Sequence, residues 1–287
     1  MNRERYLSDS SVREFLEWVL PFVSGVRPFT QQWVSPKWGE WRCGTLFDAY
    51  LSYDWRFALT LPGEVTLRSG RTLSDSEDAL GRLRVLLRES ATAGDSAAFL
   101  EAALTVVRWG QVQRNEVRLR ALGSRALSTL SDAASLLDPG TAELTRLAGV
   151  APMNSGFSKI YSLMLEEFPI YDSRVACTLA SLVRMHCEEV GLDAVPATLA
   201  FGIPASRGSV GRDPSTETLR FPRLWPGNPR GYARSNVMAA WLLRPLSAEG
   251  PFGELLPERR ILALQSALFM VGYAPWHPEA TRSRGRR

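Results

Sequence analysis

Lysine is almost missing from this chain: of its 34 Lys and Arg residues, only Lys37 and Lys159 are lysine. Histidine is as scarce. His186 and His277 lie far apart, without partners of metal-ligand or triad type, so neither a metal site nor a nucleophile–base pair is read from them. His186, next to Cys187 on an apolar-striped segment, reads as a packed or surface residue. Three cysteines, Cys43, Cys177 and Cys187, supply neither a disulfide framework nor a metal cluster of usable spacing, and a reducing cytoplasm is the expected compartment. No apolar run reaches the roughly 18 residues of a membrane span. The opening MNRERYLSDSSVREFLEW lacks the charged-then-apolar layout of a secretory signal. There is no phosphate-cradling P-loop, no G-x-G-x-x-G after a strand, no H-E-x-x-H and no repeat of fixed period.

What is present is ordinary globular material: 287 residues, 45% hydrophobic and 22% charged. The net charge of +4 permits a nucleic-acid partner, and plain solubility explains it equally well. The preference for arginine makes Lys159 informative. Lysine can lose its proton and arginine cannot, so a retained lysine marks either a reactive position or a chance survivor.

Hydrophobic periodicity predicts an all-α protein. Residues 12–23 carry a stripe of Phe15, Leu16, Val19 and Leu20. Ser74 or Asp75 is placed to cap a helix through Leu83 and Leu87, and Asp95 the next, through Phe99 and Leu104. A long helix is expected over 112–137, stopped by Asp138-Pro139-Gly140, then a short one over 141–147. Further helices are expected over 155–168, from Asp172 or Ser173 to 187, over 233–243 and over 257–272. Two stretches break the pattern. Residues 1–72 form an N-terminal helix plus a Trp/Gly/Pro-rich segment in which LPGEVTLRSGRTL suits a small hairpin; the tryptophans of FTQQWVSPKWGEWRCG either pack or stack on bases. Within the helical remainder, 73–287, an Arg/Gly/Pro-rich insertion runs over 196–231.

The densest set of signals lies in 141–190. Leu147-Ala148-Gly149-Val150-Ala151 follows a short helix. An apolar helix comes next, through Phe157, Ile160, Tyr161, Met164 and Phe168. Pro169 then breaks the run, and Asp172 stands at the mouth of another helix. This order of helix, Gly-containing hairpin, helix, loop and aspartate resembles the helix-hairpin-helix DNA glycosylase superfamily. SKIYSLMLEEFPIYDSRVA is closer still to a bacterial branch described as 8-oxoguanine DNA glycosylase-like. The resemblance covers roughly 100–273, with weaker matches at Val107 to Gly110, Arg234 to Leu243 and Ala267 to Tyr273.

The resemblance implies a helix-hairpin-helix fold of two helical lobes, with a small irregular or β-hairpin N-terminal insertion. It implies a monomer acting on duplex DNA that carries a modified base, with no cofactor, although the hairpin has a place for a monovalent cation. Asp172 is the candidate carboxylate, acting on an oxocarbenium-like sugar or on the attacking water. Capping the next helix is its plain structural use. A hairpin presents backbone N–H groups to a phosphate whatever the base sequence, and its glycine permits a left-handed turn. Gly149, Ala151, Asn154, Ser155 and Ser158 are the hairpin candidates; Arg174, Tyr232 and Arg234 are further DNA contacts. Trp109 and Gln111, in WGQVQRN, either frame a flipped base or hold a helix junction.

Two departures qualify the match. Ala151 replaces the second hairpin glycine. The family's imine-forming lysine lies about 18 or 19 residues before the aspartate, where this chain has Asn154 and Met153; Lys159 is only 13 residues before Asp172. Water is therefore the expected nucleophile, with Lys159 a tentative catalytic amine or phosphate contact. The base is expected to be 8-oxoguanine, in repair, or a bulky phage-type cytosine such as glucosylated hydroxymethylcytosine, in antiviral defence. The alternatives are a non-catalytic helix-hairpin-helix DNA-binding module and a helical interaction protein.

Overall fold

The computed structural model describes residues 1–36, 38–205 and 211–275. Lys37, His277 and part of the 196–231 insertion lie outside them. The chain is 56% helix and 7% strand, an all-α protein with small strand pairs. No helix is long and apolar enough to cross a membrane among the described residues.

α1 (Arg3–Leu7) and α2 (Ser10–Val23) open the chain, and Asp9 caps α2 by accepting from the Ser11 and Val12 amides. β1 (Gln31–Ser35) and β2 (Gly39–Cys43) form a hairpin, followed by α3 (Leu46–Leu51) and a second pair, β3 (Phe57–Leu59) with β4 (Arg68–Gly70). The second hairpin begins upstream of LPGEVTLRSGRTL, most of which is its loop. α4 (Leu73–Ala93) starts on a reciprocal cap between Thr72 and Asp75 and ends at left-handed Gly94. Asp95 caps α5 (Ser96–Trp109).

Two expected helices fail. The run over 112–137 is divided into α6 (Arg114–Leu122) and α7 (Ala126–Leu137), because Gly123 takes φ 53°, which no right-handed helix can continue. Residues 141–147 form turns that finish in one 3-10 turn, Leu147–Gly149. α8 (Phe157–Met164) and α9 (Ser173–Val190) follow. After a short parallel pair, β5 (Ile203–Pro204) with β6 (Arg223–Leu224), come α10 (Pro229–Leu246), α11 (Gly250–Gly253) and α12 (Pro257–Val271).

The helices pack in two groups. α4 to α8 pack on one another; α1, α2, α3, α9, α10 and α12 form the second group. The N-terminal segment packs on later helices: α3 on α12, α1 on α10 and α2 on α9. The tryptophans secure this arrangement. Trp33 stacks between Trp41 (5.2 Å) and Tyr273 (4.4 Å), and its Nε1 donates to Met270 O at 2.9 Å. His186 is buried edge-on to Phe15 and beside Trp18.

The second group closes at Gly272, where a Cβ would stand 2.6 Å from the carbonyl carbon of Arg174. Gly272→Ala is expected to force α9 and α12 apart and cost about 1–3 kcal/mol of unfolding free energy, the usual range for an overpacked interior; a denaturant titration against the wild type measures it.

Candidate active site

α8 is short. Leu165 leaves helical geometry with ψ 152°, and Pro169 disfavours helix at Phe168. The returning segment is held by three hydrogen bonds to three helices. Asn236 Nδ2 on α10 donates to Pro169 O at 2.9 Å. The Ile170 amide donates to Gln265 Oε1 on α12 at 3.4 Å, and the Tyr171 amide to Ser158 Oγ on α8 at 3.2 Å. The Tyr171 hydroxyl adds a fourth tie, donating to Gly202 O at 2.7 Å.

Asp172 emerges from this clamp with its two oxygens divided. Oδ1 accepts from the Arg174 and Val175 amides at 3.0 and 3.2 Å, capping α9, while Oδ2 stands 3.6 Å from Lys159 Nζ. The thirteen-residue spacing is thus no bar to meeting: a regular helix over 155–168 would carry the two residues apart, whereas the early end of α8 brings Asp172 back over it.

Lys159 is 5% exposed, and its Nζ also donates to Ser155 O at 3.1 Å. Its stem runs against Gly110, where a Cβ would stand 2.7 Å from Lys159 Cε. Burial lowers the pKa of the ammonium below its ordinary value, and the Asp172 carboxylate opposes that shift.

The pair lies on the wall of a cavity of about 500 Å³ between the two helix groups. Arg114, Arg118, Lys159, Arg174 and Arg212 line it, against Asp172 as the one carboxylate among the described lining residues. Tyr53, Trp55, Trp109, Tyr232 and Phe269 supply aromatic wall. Arg174 is 8% exposed, with its guanidinium 4.4 Å over the Phe269 ring and 5.1 Å from the Tyr273 ring. Burial pushes its pKa down to about 10. It forms no side-chain hydrogen bond or ion pair among the described residues, although its amide serves Asp172.

Other residues singled out in the sequence also reach this cavity. Trp109 is buried with its Nε1 unpaired, and Gln111, at φ 54°, donates from Nε2 to Arg56 O at 2.6 Å. Asn154 and Ser155 line it as well. Asn154 Oδ1 accepts from the Gly156 and Phe157 amides at 2.7 and 3.2 Å, and its Nδ2 donates to Asn115 Oδ1 at 2.9 Å. Gly156 permits this contact, since a Cβ there would stand 2.6 Å from Asn115 Cγ.

Of the four remaining candidates, burial removes only Ser158 from the contacts. Ser158 is fully buried and spends its hydroxyl on Ser155 O and Tyr171, so it is a clamp residue and not a DNA contact. Arg234 lies outside the cavity lining and donates to Ala197 O at 3.3 Å. Gly149 is exposed but has no left-handed backbone; it closes the 3-10 turn, and a Cβ there would meet only Leu136 Cδ1 at 3.8 Å. Ala151, also exposed, sits on the hairpin away from the cavity. The carbonyls of Leu147, Pro152 and Asn154 accept hydrogen bonds from Val150, Tyr161 and Ser158. No group of three His, Cys, Asp or Glu among the described residues could hold a metal ion.

Sequence reasoning missed Asn115, the lining arginines 114, 118 and 212, and the pair Gln265 and Phe269. The last had a signal: a lone amide inside the apolar run LALQSALFMV, one helical turn from an aromatic.

The lowered Lys159 pKa has a stability consequence. Between that value and 10.5, the unfolded chain holds a proton that the folded chain has released, so stability gains as pH rises through this window. The unfolding free energy of the wild type is expected to climb relative to Lys159→Met as pH approaches 10.5; parallel denaturation curves at stepped pH measure it.

No family model, no curated protein and no solved structure matches this chain. The functional reading rests on the cavity's own residues.

Proposed function

We propose that this chain is a DNA glycosylase of the helix-hairpin-helix kind, which draws a modified base out of duplex DNA and breaks its N-glycosidic bond. The Lys159–Asp172 pair, set in a cationic cavity with aromatic walls, carries the reading. A base attacked at its sugar bond must leave the stack and be received by a pocket. Aromatic faces suit a base, and cations suit the phosphates that travel with it.

In the reaction the C1′–N bond breaks and the base departs with the bonding electrons, taking up a proton. Asp172, with 16% of its side chain exposed, stabilises the oxocarbenium character left on the sugar. Water adds to C1′ with loss of a proton, and an abasic site remains. Arg174, without a side-chain hydrogen bond or ion pair among the described residues and fixed over Phe269, is suited to a phosphate oxygen beside the extruded nucleotide.

A second nucleophile is favoured by the 3.6 Å contact and the lowered pKa of Lys159. A neutral Lys159 amine bonds to C1′ as the base leaves with the bonding electrons and the nitrogen loses a proton; the C1′–O4′ bond then opens with O4′ taking up a proton, and the imine so formed lets loss of a C2′ proton expel the 3′-phosphate. A module that only grips DNA has no use for a buried lysine, whose desolvation is costly.

Two base classes remain in the proposal: 8-oxoguanine, and a bulky modified cytosine such as the glucosylated form in phage DNA. A second cavity of about 270 Å³ favours the bulky class. It lies behind Tyr53, Trp109, Ile170 and Gln265, all shared with the main one.

Duplexes carrying each base, followed by alkaline cleavage and analysis of released bases, test the reading. Asp172→Asn is expected to slow release by about 10²–10⁴-fold. Borohydride is expected to trap a protein–DNA adduct with the wild type but not with Lys159→Met if the amine attacks, and with neither if water does. Wild-type protein that releases no base from any duplex, or Asp172→Asn at the wild-type rate, counts against it.

A further inference from the structure

We infer that Arg114 and Arg118 form the lip on which one strand of duplex DNA lays its phosphates beside the cavity. The inference rests on the glycosylase reading and adds a contact surface to it. α6 begins Arg-Asn-Glu-Val-Arg, so the two arginines stand one turn apart on one face. Both are exposed, and both line the cavity.

The only carboxylate in this helix is committed elsewhere. Glu116 accepts from Arg108 Nε and Nη2, each at 3.2 Å. Neither Arg114 nor Arg118 forms an ion pair or side-chain hydrogen bond among the described residues. Like charges one turn apart weaken a helix. Two of them, unneutralised among the described residues at the mouth of a cavity that is already cationic, offer a seat for an anion from outside the chain. The guanidinium fork matches phosphate oxygens in pairs.

The lip is also fixed in register with the reacting groups. Asn115, between the two arginines in sequence, accepts from Asn154 at 2.9 Å, and Asn154 in turn caps the start of α8, which carries Lys159. Across the cavity, Arg212 donates to Ser173 Oγ at 3.3 Å and to Tyr273 O at 3.1 Å, a cation held beside the α9 cap on the facing wall. A strand seated on α6 is thereby set at one distance from Asp172.

The test is binding of a fluorescein-labelled, unmodified duplex by anisotropy across a salt series, with wild type, Arg114→Gln/Arg118→Gln, and a charge-matched control, Arg3→Gln/Arg5→Gln, on α1. Each phosphate contact contributes about 0.9 to the slope of log K against log salt. The lip variant is expected to flatten that slope by about two and to weaken binding at low salt at least tenfold, with an unchanged melting temperature and with the control near the wild type. A lip variant that keeps the wild-type slope and affinity, or a control that loses as much, overturns the inference while leaving the glycosylase reading standing. A wild type with no salt-dependent affinity for duplex overturns both.

Discussion

The site depends on the hydrogen-bonded return of residues 169–171. Three helices take one backbone group each: α10 holds the Pro169 carbonyl, α12 the Ile170 amide and α8 the Tyr171 amide. A buried peptide group without a partner costs free energy comparable to a lost hydrogen bond, so these ties leave the segment little freedom to shift. Asp172 follows directly and enters α9 as its cap. The position of the carboxylate is therefore set by three side chains from separate parts of the chain. Ser158 also belongs to the same helix as Lys159, which couples the carboxylate and the amine through a single turn.

Close approach supports that clamp. Glycine stands where side chains would block the site: Gly110 beside the Lys159 stem, and Gly156 against Asn115. In both cases the requirement is space and not an unusual backbone angle. The result is a lysine almost without solvent, tied to one carbonyl and one carboxylate, in the same cavity as an arginine whose guanidinium lies over aromatic rings. Burial disfavours both cations, and a single carboxylate balances neither fully. Under the proposed function, an incoming DNA strand would supply the negative charge that this single carboxylate does not.

Much of this was legible in the residue order. The caps at Asp95 and Asp172 follow from local backbone chemistry, which a short window contains. Errors arose where the periodic pattern outlasted the helix. Leucines and alanines continue through 112–137, yet Gly123 adopts φ 53° and the helix divides. Apolar residues continue to Phe168, yet α8 stops at Met164. Lys159 still stands 13 residues before Asp172 and not 18 or 19, yet the early end of α8 brings the two side chains together.

The sequence alone determined a helical protein, with an aspartate at the start of an amphipathic helix and one conspicuous lysine in the helix before it. Periodicity and capping are local properties, so they survive without knowledge of the fold. Only the tertiary structure decided that the capping aspartate turns its second oxygen to the lysine, that Gln265 supports the approach to both, and that Arg114 and Arg118 flank their cavity. The Asp172–Lys159 and Ile170–Gln265 contacts join residues 13 and 95 positions apart, and side-chain packing sets them.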